Sequence, residues 1–218
     1  MLAGWFIGDA LRAFKAADRV VTVKGLAERS VPADLALWSI SYLNTAPSLG
    51  QLTSAIRSDG DKIVSWLRAA GFTDEEFTRG SPQITDREAQ NYGNPQVGDR
   101  YQALTVVMVR TGKVDRVRDT KQRSNDLVDQ GIVLNRNYEY PDQYLFTQLN
   151  DIKPEMIAEA TRNARAAAEQ FAQDSGSEVG AIRSANQGYF SIEDRDPLSP
   201  EFKNIRVVTT VEYFLTGE

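Results

Sequence analysis

The chain has 218 residues, is 41% hydrophobic and 25% charged, and carries a net charge of −5, values typical of a globular protein large enough to bury its own core. It contains neither cysteine nor histidine, which excludes disulfide frameworks, thiolate and imidazole metal sites, and catalysis by a cysteine nucleophile or a histidine base. Oxygen-only cation sites, carboxylate pairs and Ser–Lys chemistry remain open.

The N-terminal residues 2–14 (LAGWFIGDALRAF) are apolar but include Asp9 and Arg12. This stretch is shorter than the roughly 20 apolar residues that span a bilayer, and no basic segment precedes it as in a signal peptide. The pattern favours residues 1–18 as the remnant of an N-terminal membrane anchor, with Trp5 at the membrane interface. A short docking helix in a cytosolic chain is the alternative, and the lack of cysteine is compatible with either compartment.

Strand-like and helix-like periods alternate from residue 19 onwards. Residues 19–27 and 33–44 alternate apolar with polar or small side chains, and the connection 28–32 predicts a β-hairpin between them. Ser48 is a suitable N-cap for a helix whose apolar residues recur every three or four positions, and Gly71 is placed to end it.

The middle of the chain is predicted to contain a polar strand, a turn, a β-prone strand, a helix and the two strands of a second hairpin. The polar strand covers 77–90, the turn 91–99, the β-prone strand 100–111 and the helix 114–129, and the two hairpin strands cover 132–140 and 144–151. The helix has only a thin apolar stripe, which indicates a surface position, and Gly131 is its stop signal. The second hairpin turns at Pro141–Asp142.

The last third predicts a long helix and two closing strands. Pro154 suits the first turn of a helix that runs to about Ser175 and has an alanine-rich inner side. The closing strands, 179–192 and 204–215, flank a proline-containing turn at 194–201.

The resulting order, ββαββαββαββ, predicts the α+β fold class. We expect antiparallel sheets built from hairpins and packed against about three helices, in an arrangement that resembles repeated split βαβ units. No linker divides the chain, so if there are two lobes their boundary is discontinuous in sequence.

Motifs for nucleotide binding and for hydrolase chemistry are absent from the sequence. The basic run 110–123 contains no aromatic residue and has acidic residues at helical spacing, so it is interpreted as a solvated helix face and no nucleic-acid partner is predicted. Asp59–Gly60–Asp61 and the pair Ser58 and Lys62 are interpreted as exposed features of the first helix.

One acidic cluster is a weak candidate for divalent-cation binding. Glu193, Asp194 and Asp196 lie beside Pro197, and carboxylates are the ligands that Mg²⁺ and Ca²⁺ prefer. A solvated turn with aspartates at turn-forming positions is the alternative interpretation. No cofactor and no catalytic residue are predicted.

One aromatic cluster is a candidate interface around the Pro141–Asp142 turn. Its members are Tyr138, Tyr140, Tyr144 and Phe146. They could form a protein–protein contact patch, or they could pack in the core and across the hairpin. Trp38 and Trp66 lie on apolar faces and are predicted core residues.

Several segments resemble the SIMPL-domain family, a bacterial group of largely unknown function. The resemblance covers about residues 19–216 and is carried by RVVTVKGLAE (19–28), VPADLALW (31–38), Gly131–Ile132, YLF (144–146), KPEMI (153–157), the alanine-rich helix, 176–180, ANQG (185–188) and RVVTTV (206–211). Together these segments are specific to the family, although each alone is weak.

This resemblance implies an α+β protein that is exported to the periplasm or held there by an N-terminal membrane helix. Residues 2–14 stand where family members carry that segment. Members similar to the periplasmic immunogenic protein form large ring- or channel-like oligomers, stress-related roles are proposed for the family, and no agreed catalytic residues come with it.

We therefore predict a non-enzymatic, membrane-anchored periplasmic protein that forms a homo-oligomer through exposed strand edges or the alanine-rich helix. A cytoplasmic location is the alternative. A module that binds a small ligand or a divalent cation is the alternative function, and an enzyme that uses carboxylates alone ranks last.

Overall fold

The computed structural model describes residues 19–90, 98–136 and 139–217. These residues form two compact units. Unit 1 combines residues 19–32 with 148–217, and unit 2 comprises residues 33–147. Both consist of antiparallel strands and helices, which confirms the α+β class.

Ten strands and five α-helices occur in the described residues. In chain order they are β1 (Val20–Pro32), β2 (Leu35–Ala46), α1 (Leu49–Ala69), β3 (Phe77–Arg79), β4 (Gln83–Asp86), α2 (Arg87–Gln90), β5 (Tyr101–Thr111), α3 (Val114–Gln122), α4 (Asn125–Asp129), β6 (Val133–Asn135), β7 (Gln143–Leu145), α5 (Leu149–Asp174), β8 (Glu178–Gln187), β9 (Ser191–Asp194) and β10 (Phe202–Thr216). A 3₁₀ turn, Asp74–Glu76, precedes β3.

The sheet of unit 1 is organised around β10. This strand alternates buried apolar residues with more exposed ones, as a strand covered on one face should. It pairs with β1 along its whole length, from Val20 opposite Phe214 to Pro32 opposite Phe202. On its other side it pairs with β8 and β9, so the strand order is β1, β10, then β8 and β9.

Helix α5 packs very closely on one face of this sheet. Its buried residues recur every four positions and are each at most 2% exposed: Met156, Ala160, Ala164, Ala168 and Ala172. A Cβ atom added to Gly25 of β1 would lie 1.8 Å from the Ala160 carbonyl oxygen and 2.4 Å from the Ala164 nitrogen. The alanine-rich face of α5 is therefore used inside its own unit, where helix and strand backbones meet directly.

The sheet of unit 2 is organised around the long antiparallel pair β2 and β5. Each of its outer edges consists of two short strands, β3 and β4 beside β5, and β6 and β7 beside β2. Helix α1 covers one face, where Trp38 and Trp66 meet edge to face at 5.9 Å. Both tryptophans are at most 8% exposed, which confirms them as core residues.

Several predicted element ends are confirmed. The Ser48 hydroxyl accepts a hydrogen bond from the Gln51 backbone N–H and so caps α1. Gly71 and Gly131 follow helices with φ values of +89° and +84°, a conformation that favours glycine. Helix α5 ends at Asp174 with Ser175 as its C-cap.

The predicted hairpin between residues 19–27 and 33–44 is wrong, because β1 and β2 belong to different sheets. Between them, the Asp34 backbone N–H donates to the Leu145 carbonyl at 2.9 Å, and the Asp34 carboxylate accepts from the Thr147 N–H. These bonds start β2 beside β7. An alternating pattern identifies the faces of a strand but not its partner.

The second predicted hairpin, between 132–140 and 144–151, is also wrong. Strands β6 and β7 each pair with β2 and not with one another, and residues 149–151 are the first turn of α5. Because α5 begins at Leu149, Pro154 lies inside the helix and not in its first turn. Apolar periodicity near a helix start does not determine where the first turn begins.

Three other predicted elements are shorter than expected. The strand predicted over 77–90 is divided into β3, β4 and the single turn α2, and the helix predicted over 114–129 is divided into α3 and α4. The strand predicted over 179–192 is divided into β8 and β9. Gly80 and Gly188 lie at two of these breaks, where each donates a backbone hydrogen bond to the neighbouring strand.

In the part of the chain that the structure describes, no helix is both long enough and apolar enough to cross a membrane. The predicted anchor, residues 1–18, lies outside the described residues.

Candidate functional site

The acidic residues near Pro197 are engaged by neighbouring cations. Asp194, at the end of β9, forms an ion pair with the almost fully buried Lys203 of β10. Asp196 accepts from the Arg195 guanidinium at 3.1 Å and from the Leu198 backbone N–H at 2.9 Å. The hydrogen bond from Arg195 lowers the pKa of Asp196.

Glu193 is exposed on β9 opposite Asn204. Across residues 19–90, 98–136 and 139–217, no three acidic side chains come together as a group that could hold a metal ion. Of the three candidate cation ligands, Asp194 and Asp196 are therefore ion-paired, and Glu193 is exposed on β9.

The structure separates the predicted aromatic cluster. Tyr144 is 8% exposed and belongs to the core of unit 2, where its ring lies 5.9 Å from the Lys121 ammonium. Phe146 is half-buried, and Tyr138 lies outside the described residues. Tyr140 is 46% exposed and lines a groove on the other face of the sheet.

This groove has a volume of about 400 Å³ and lies on the sheet face of unit 2 opposite α1. Its floor is formed by alternate residues of β5, Leu104, Val106 and Met108. Their neighbours in sequence, such as Val107 and Val109, point into the core and are fully buried. The alternation of β5 thus gives this sheet a second apolar surface, which is partly exposed.

One wall of the groove is a bulge in the edge beside β5. Arg79 pairs with Val107 and Gln83 pairs with Leu104, so the three residues 80–82 face only two residues of β5. The Gly80 N–H donates to the Val106 carbonyl at 2.8 Å. A Cβ atom at Gly80 would lie only 3.1 Å from that oxygen, so glycine allows the wall to approach the floor closely.

The opposite wall is formed by Glu139 and Tyr140. The Ser39 hydroxyl of β2 donates to the Tyr140 carbonyl, and the Ser39 backbone N–H donates to the Asp142 carboxylate at 3.0 Å. Asp142 also forms a 2.6 Å ion pair with Lys121. Ser39 lies on β2 between the residues that pair with β7 and those that pair with β6. Its bonds therefore hold the segment that carries Glu139 and Tyr140 against the sheet.

Among the described residues that line the groove, Glu139 is the one with a formal charge. The Gln83 amide nitrogen lies 3.5 Å from the Glu139 carboxylate. A hydrogen bond with Glu139 raises the pKa of the Tyr140 phenol. The remaining polar side chains of the lining, Thr78 and Ser81, are neutral, so the groove combines an apolar floor with an acidic rim.

A second surface of interest is the outer edge of the unit 1 sheet formed by β8. Of its ten residues, eight are exposed and two are half-buried. Val179 packs against the core beside α5, whereas the residues from Ala181 to Gln187 are exposed on both faces. In the described residues its only strand partner is β10. Two bulges in that pairing leave Ser184–Gln187 as the regular part of β8.

Apolar side chains surround this edge. Ile182 of β8 is 52% exposed, Ile192 of β9 is 39% exposed, and Tyr189 and Leu198 are almost fully exposed. The charged residues of β8 are Glu178 and Arg183, and Arg183 contacts Glu212 at 3.3 Å. Low net charge and exposed apolar residues favour association at an edge strand, while the two bulges confine regular pairing to Ser184–Gln187.

The other outer strand of this sheet, β1, is partly covered by α5. The Asn163 amide donates to the Leu26 carbonyl at 2.7 Å. Arg29 forms ion pairs with Glu155 at 2.9 Å and Glu159 at 3.7 Å. The two edges of the unit 1 sheet therefore differ, since side chains from α5 bind to β1, whereas among the described residues no helix side chain bonds to β8.

Neither surface was identified from the sequence. Periodicity places Leu104, Val106 and Met108 on one face of a strand, but it cannot show that no helix covers that face. The Gly80–Ser81–Pro82 run is a turn signal inside a predicted strand, and it was the one local indication of the bulge. For β8, the sequence shows strand propensity without showing that one edge lacks a partner.

Comparison with known proteins places the chain in a family. No curated protein matches it significantly. The family model SIMPL, described as a protein of unknown function (DUF541), matches residues 21–213 and so includes both units. The chain therefore belongs to the SIMPL family.

Proposed function

We propose that this SIMPL protein is a non-enzymatic assembly protein whose copies associate through β8 of unit 1. The observation that carries the proposal is a ten-residue edge strand with eight exposed residues and no strand partner on its outer side in the described residues, flanked by exposed apolar side chains. Unpaired backbone groups along such an edge bind readily to another strand. The resemblance of the sequence to family members that form large oligomers supports the same conclusion.

A second copy of the chain is the partner that this edge suits best. Two β8 strands related by a two-fold axis can pair antiparallel, because each edge presents the same donors and acceptors to the other. The strand carries one acidic and one basic residue, Glu178 and Arg183, so two copies do not repel one another. Ile182, Tyr189 and Ile192 supply apolar area around the paired strands.

The alanine-rich helix α5 is not proposed as the assembly surface. Its alanine stripe is buried against β1 and β10 of its own unit. Of the two assembly surfaces predicted from the sequence, the strand edge is the one that the geometry favours.

The chemistry of the chain supports a non-enzymatic role. The sequence lacks histidine and cysteine, which supply most general bases and nucleophiles. The acidic turn near Asp196 is occupied by ion pairs and a backbone hydrogen bond.

A membrane-anchored, periplasmic location is part of the same proposal. It is supported by the apolar residues 2–14 and by the resemblance to exported family members, which also suggests a stress-related context. A reporter enzyme that is active only in the periplasm, fused after residue 218, would test this. Activity of the fusion supports the location, and an inactive but expressed fusion contradicts it.

Assembly can be tested by sedimentation velocity over a range of protein concentrations. We expect the wild-type chain to form a concentration-dependent oligomer. Ile182→Lys places a charge among the apolar side chains of β8 and should shift the distribution to monomer.

Thr22→Lys is the matched control, because Thr22 is exposed on β1, the opposite outer strand of the same sheet. It should leave the oligomer intact, and far-UV circular dichroism should show both variants folded. A wild-type chain that stays monomeric at high concentration contradicts the proposal. Dissociation by Thr22→Lys but not by Ile182→Lys would also contradict it.

A further inference from the structure

The groove of unit 2 has the dimensions and composition of a small-molecule site. Its volume of about 400 Å³ falls within the roughly 300–1,000 Å³ of ligand pockets in proteins. Such pockets combine a mostly apolar lining with a few polar groups that orient the ligand. Here Leu104, Val106 and Met108 form the apolar floor, and the polar groups lie on the two walls.

The walls of the groove are held in place by hydrogen bonds to the two central strands, β5 and β2. On one side, the bulge at 80–82 is fixed by the Gly80 hydrogen bond to Val106. On the other, Ser39 and Asp142 hold the segment that carries Glu139 and Tyr140. A groove whose walls are fixed before binding loses little conformational entropy when a ligand enters.

The charge of the lining selects the class of ligand. Glu139 is the one charged residue among the described residues that line the groove, and none of them is lysine or arginine. A carboxylate beside an apolar floor repels anions and attracts a protonated amine, with which it forms a charge-assisted hydrogen bond. The neighbouring Tyr140 ring and the Met108 thioether suit an aromatic or aliphatic group bound to that amine.

We propose that this groove binds a small amphipathic amine, with its apolar group on Leu104, Val106 and Met108 and its ammonium group at Glu139. This binding site is independent of the assembly edge, which lies in unit 1. Phosphate and nucleotide ligands are disfavoured, because the described residues of the lining include no lysine or arginine to pair with them.

Ligand-detected NMR with three probes that share a phenethyl group and differ in charge tests the proposal. Phenethylamine is the cationic probe, phenethyl alcohol the neutral one, and 3-phenylpropionate the anionic one. We expect the amine to bind at least ten-fold more tightly than the anion, with the alcohol between them. Absence of amine binding at millimolar concentration, or equal affinity for the amine and the anion, would overturn the proposal.

Two substitutions locate the binding. Glu139→Gln removes the carboxylate while retaining the size of the side chain, and it should weaken amine binding about ten-fold with little effect on the alcohol. Glu75→Gln is the matched control on an exposed glutamate of unit 2 outside the groove, and it should change neither affinity.

A third substitution addresses the floor without removing the charge. Met108→Trp places a bulky ring in the partly exposed floor and should reduce the affinity for both the amine and the alcohol. Amide spectra of each variant verify that the fold is retained. Amine affinity that is unchanged in both Glu139→Gln and folded Met108→Trp would show that the ligand binds elsewhere.

Discussion

The direct contact between β1 and α5 predicts that replacing Gly25 even by alanine destabilises the protein. In Gly25→Ala the new methyl group would lie 1.8 Å from the Ala160 carbonyl oxygen, whereas real Cβ contacts stay above 3.0 Å. The obstacle is helix backbone, which cannot rotate away as a flexible side chain does. Helix α5 must therefore move away from the sheet by about 1.2 Å, the difference between these two distances.

The cost follows from what that movement separates. A gap of about 0.5–1 Å already removes a quarter to a half of the attractive energy of a van der Waals contact. The buried alanine methyl groups of α5 each contribute roughly 0.8 kcal/mol, and four of them line the contact. Overpacking typically costs about 1–3 kcal/mol, and because the clash is with backbone we expect about 3 kcal/mol.

Thermal unfolding followed by circular dichroism measures this effect. A loss of about 3 kcal/mol lowers the Tm of a chain of this size by roughly 6–12 °C. Gly50→Ala is the matched control, because no atom lies within 4 Å of the added methyl group. It lies in α1, where alanine is favoured over glycine by up to about 1 kcal/mol, so its Tm should stay equal or rise. A Gly25→Ala variant as stable as wild type would refute the close contact.

Two further predictions concern unit 2. Burial alone would raise the pKa of Glu76, but hydrogen bonds from Lys113, Thr111 and the Thr73 backbone lower it from 4.5 to about 2. Ionised Glu76 therefore contributes fully to the free energy of unfolding above pH 4.5, and this contribution is lost as the pH falls towards 2. Glu76→Gln should therefore lose on the order of 2 kcal/mol at pH 7 and show a flatter urea-stability profile below pH 4.5; an unchanged profile refutes this. Asp142→Ala, which removes the partner of the Ser39 N–H and Lys121, should cost about 1–2 kcal/mol in urea unfolding, and no loss would contradict its role.

Periodicity predicted the faces of the elements better than their partners. The alternation in β10 correctly identifies its buried side. The apolar spacing of α5 correctly identifies Met156 and the alanines of the four-residue repeat as buried, but it places Phe171 on the same side, where that residue is 61% exposed. The partner of β1 could not be predicted, because the same alternation suits pairing with β2 or with β10, whose paired residues are 170 to 194 positions away. The hydrogen bonds of Asp34, which start β2 in the other sheet, are made to residues more than 100 positions away in the sequence, so no local pattern reveals them.

Glycine positions held more information than their use as turn signals suggested. Gly25 stands inside a strongly β-prone segment, and an isolated glycine in a strand often marks a close backbone approach. The sequence could thus have indicated a contact at Gly25, although not that Ala160 supplies it. The groove could not be predicted from the sequence. Val106 and Glu139 line the same groove because the edge beside β5 has a bulge and because Asp142 binds to β2.

Hydrogen exchange of the β8 amides at low and high protein concentration tests the proposed assembly at the strand that forms it. Pairing of two β8 edges must protect amides that are otherwise exposed to water. We predict that peptides covering Glu178–Gln187 exchange more slowly in concentrated than in dilute protein, while peptides from β1 exchange at the same rate in both. Equal exchange of β8 at the two concentrations, or protection that appears in β1 instead, would contradict assembly through this edge.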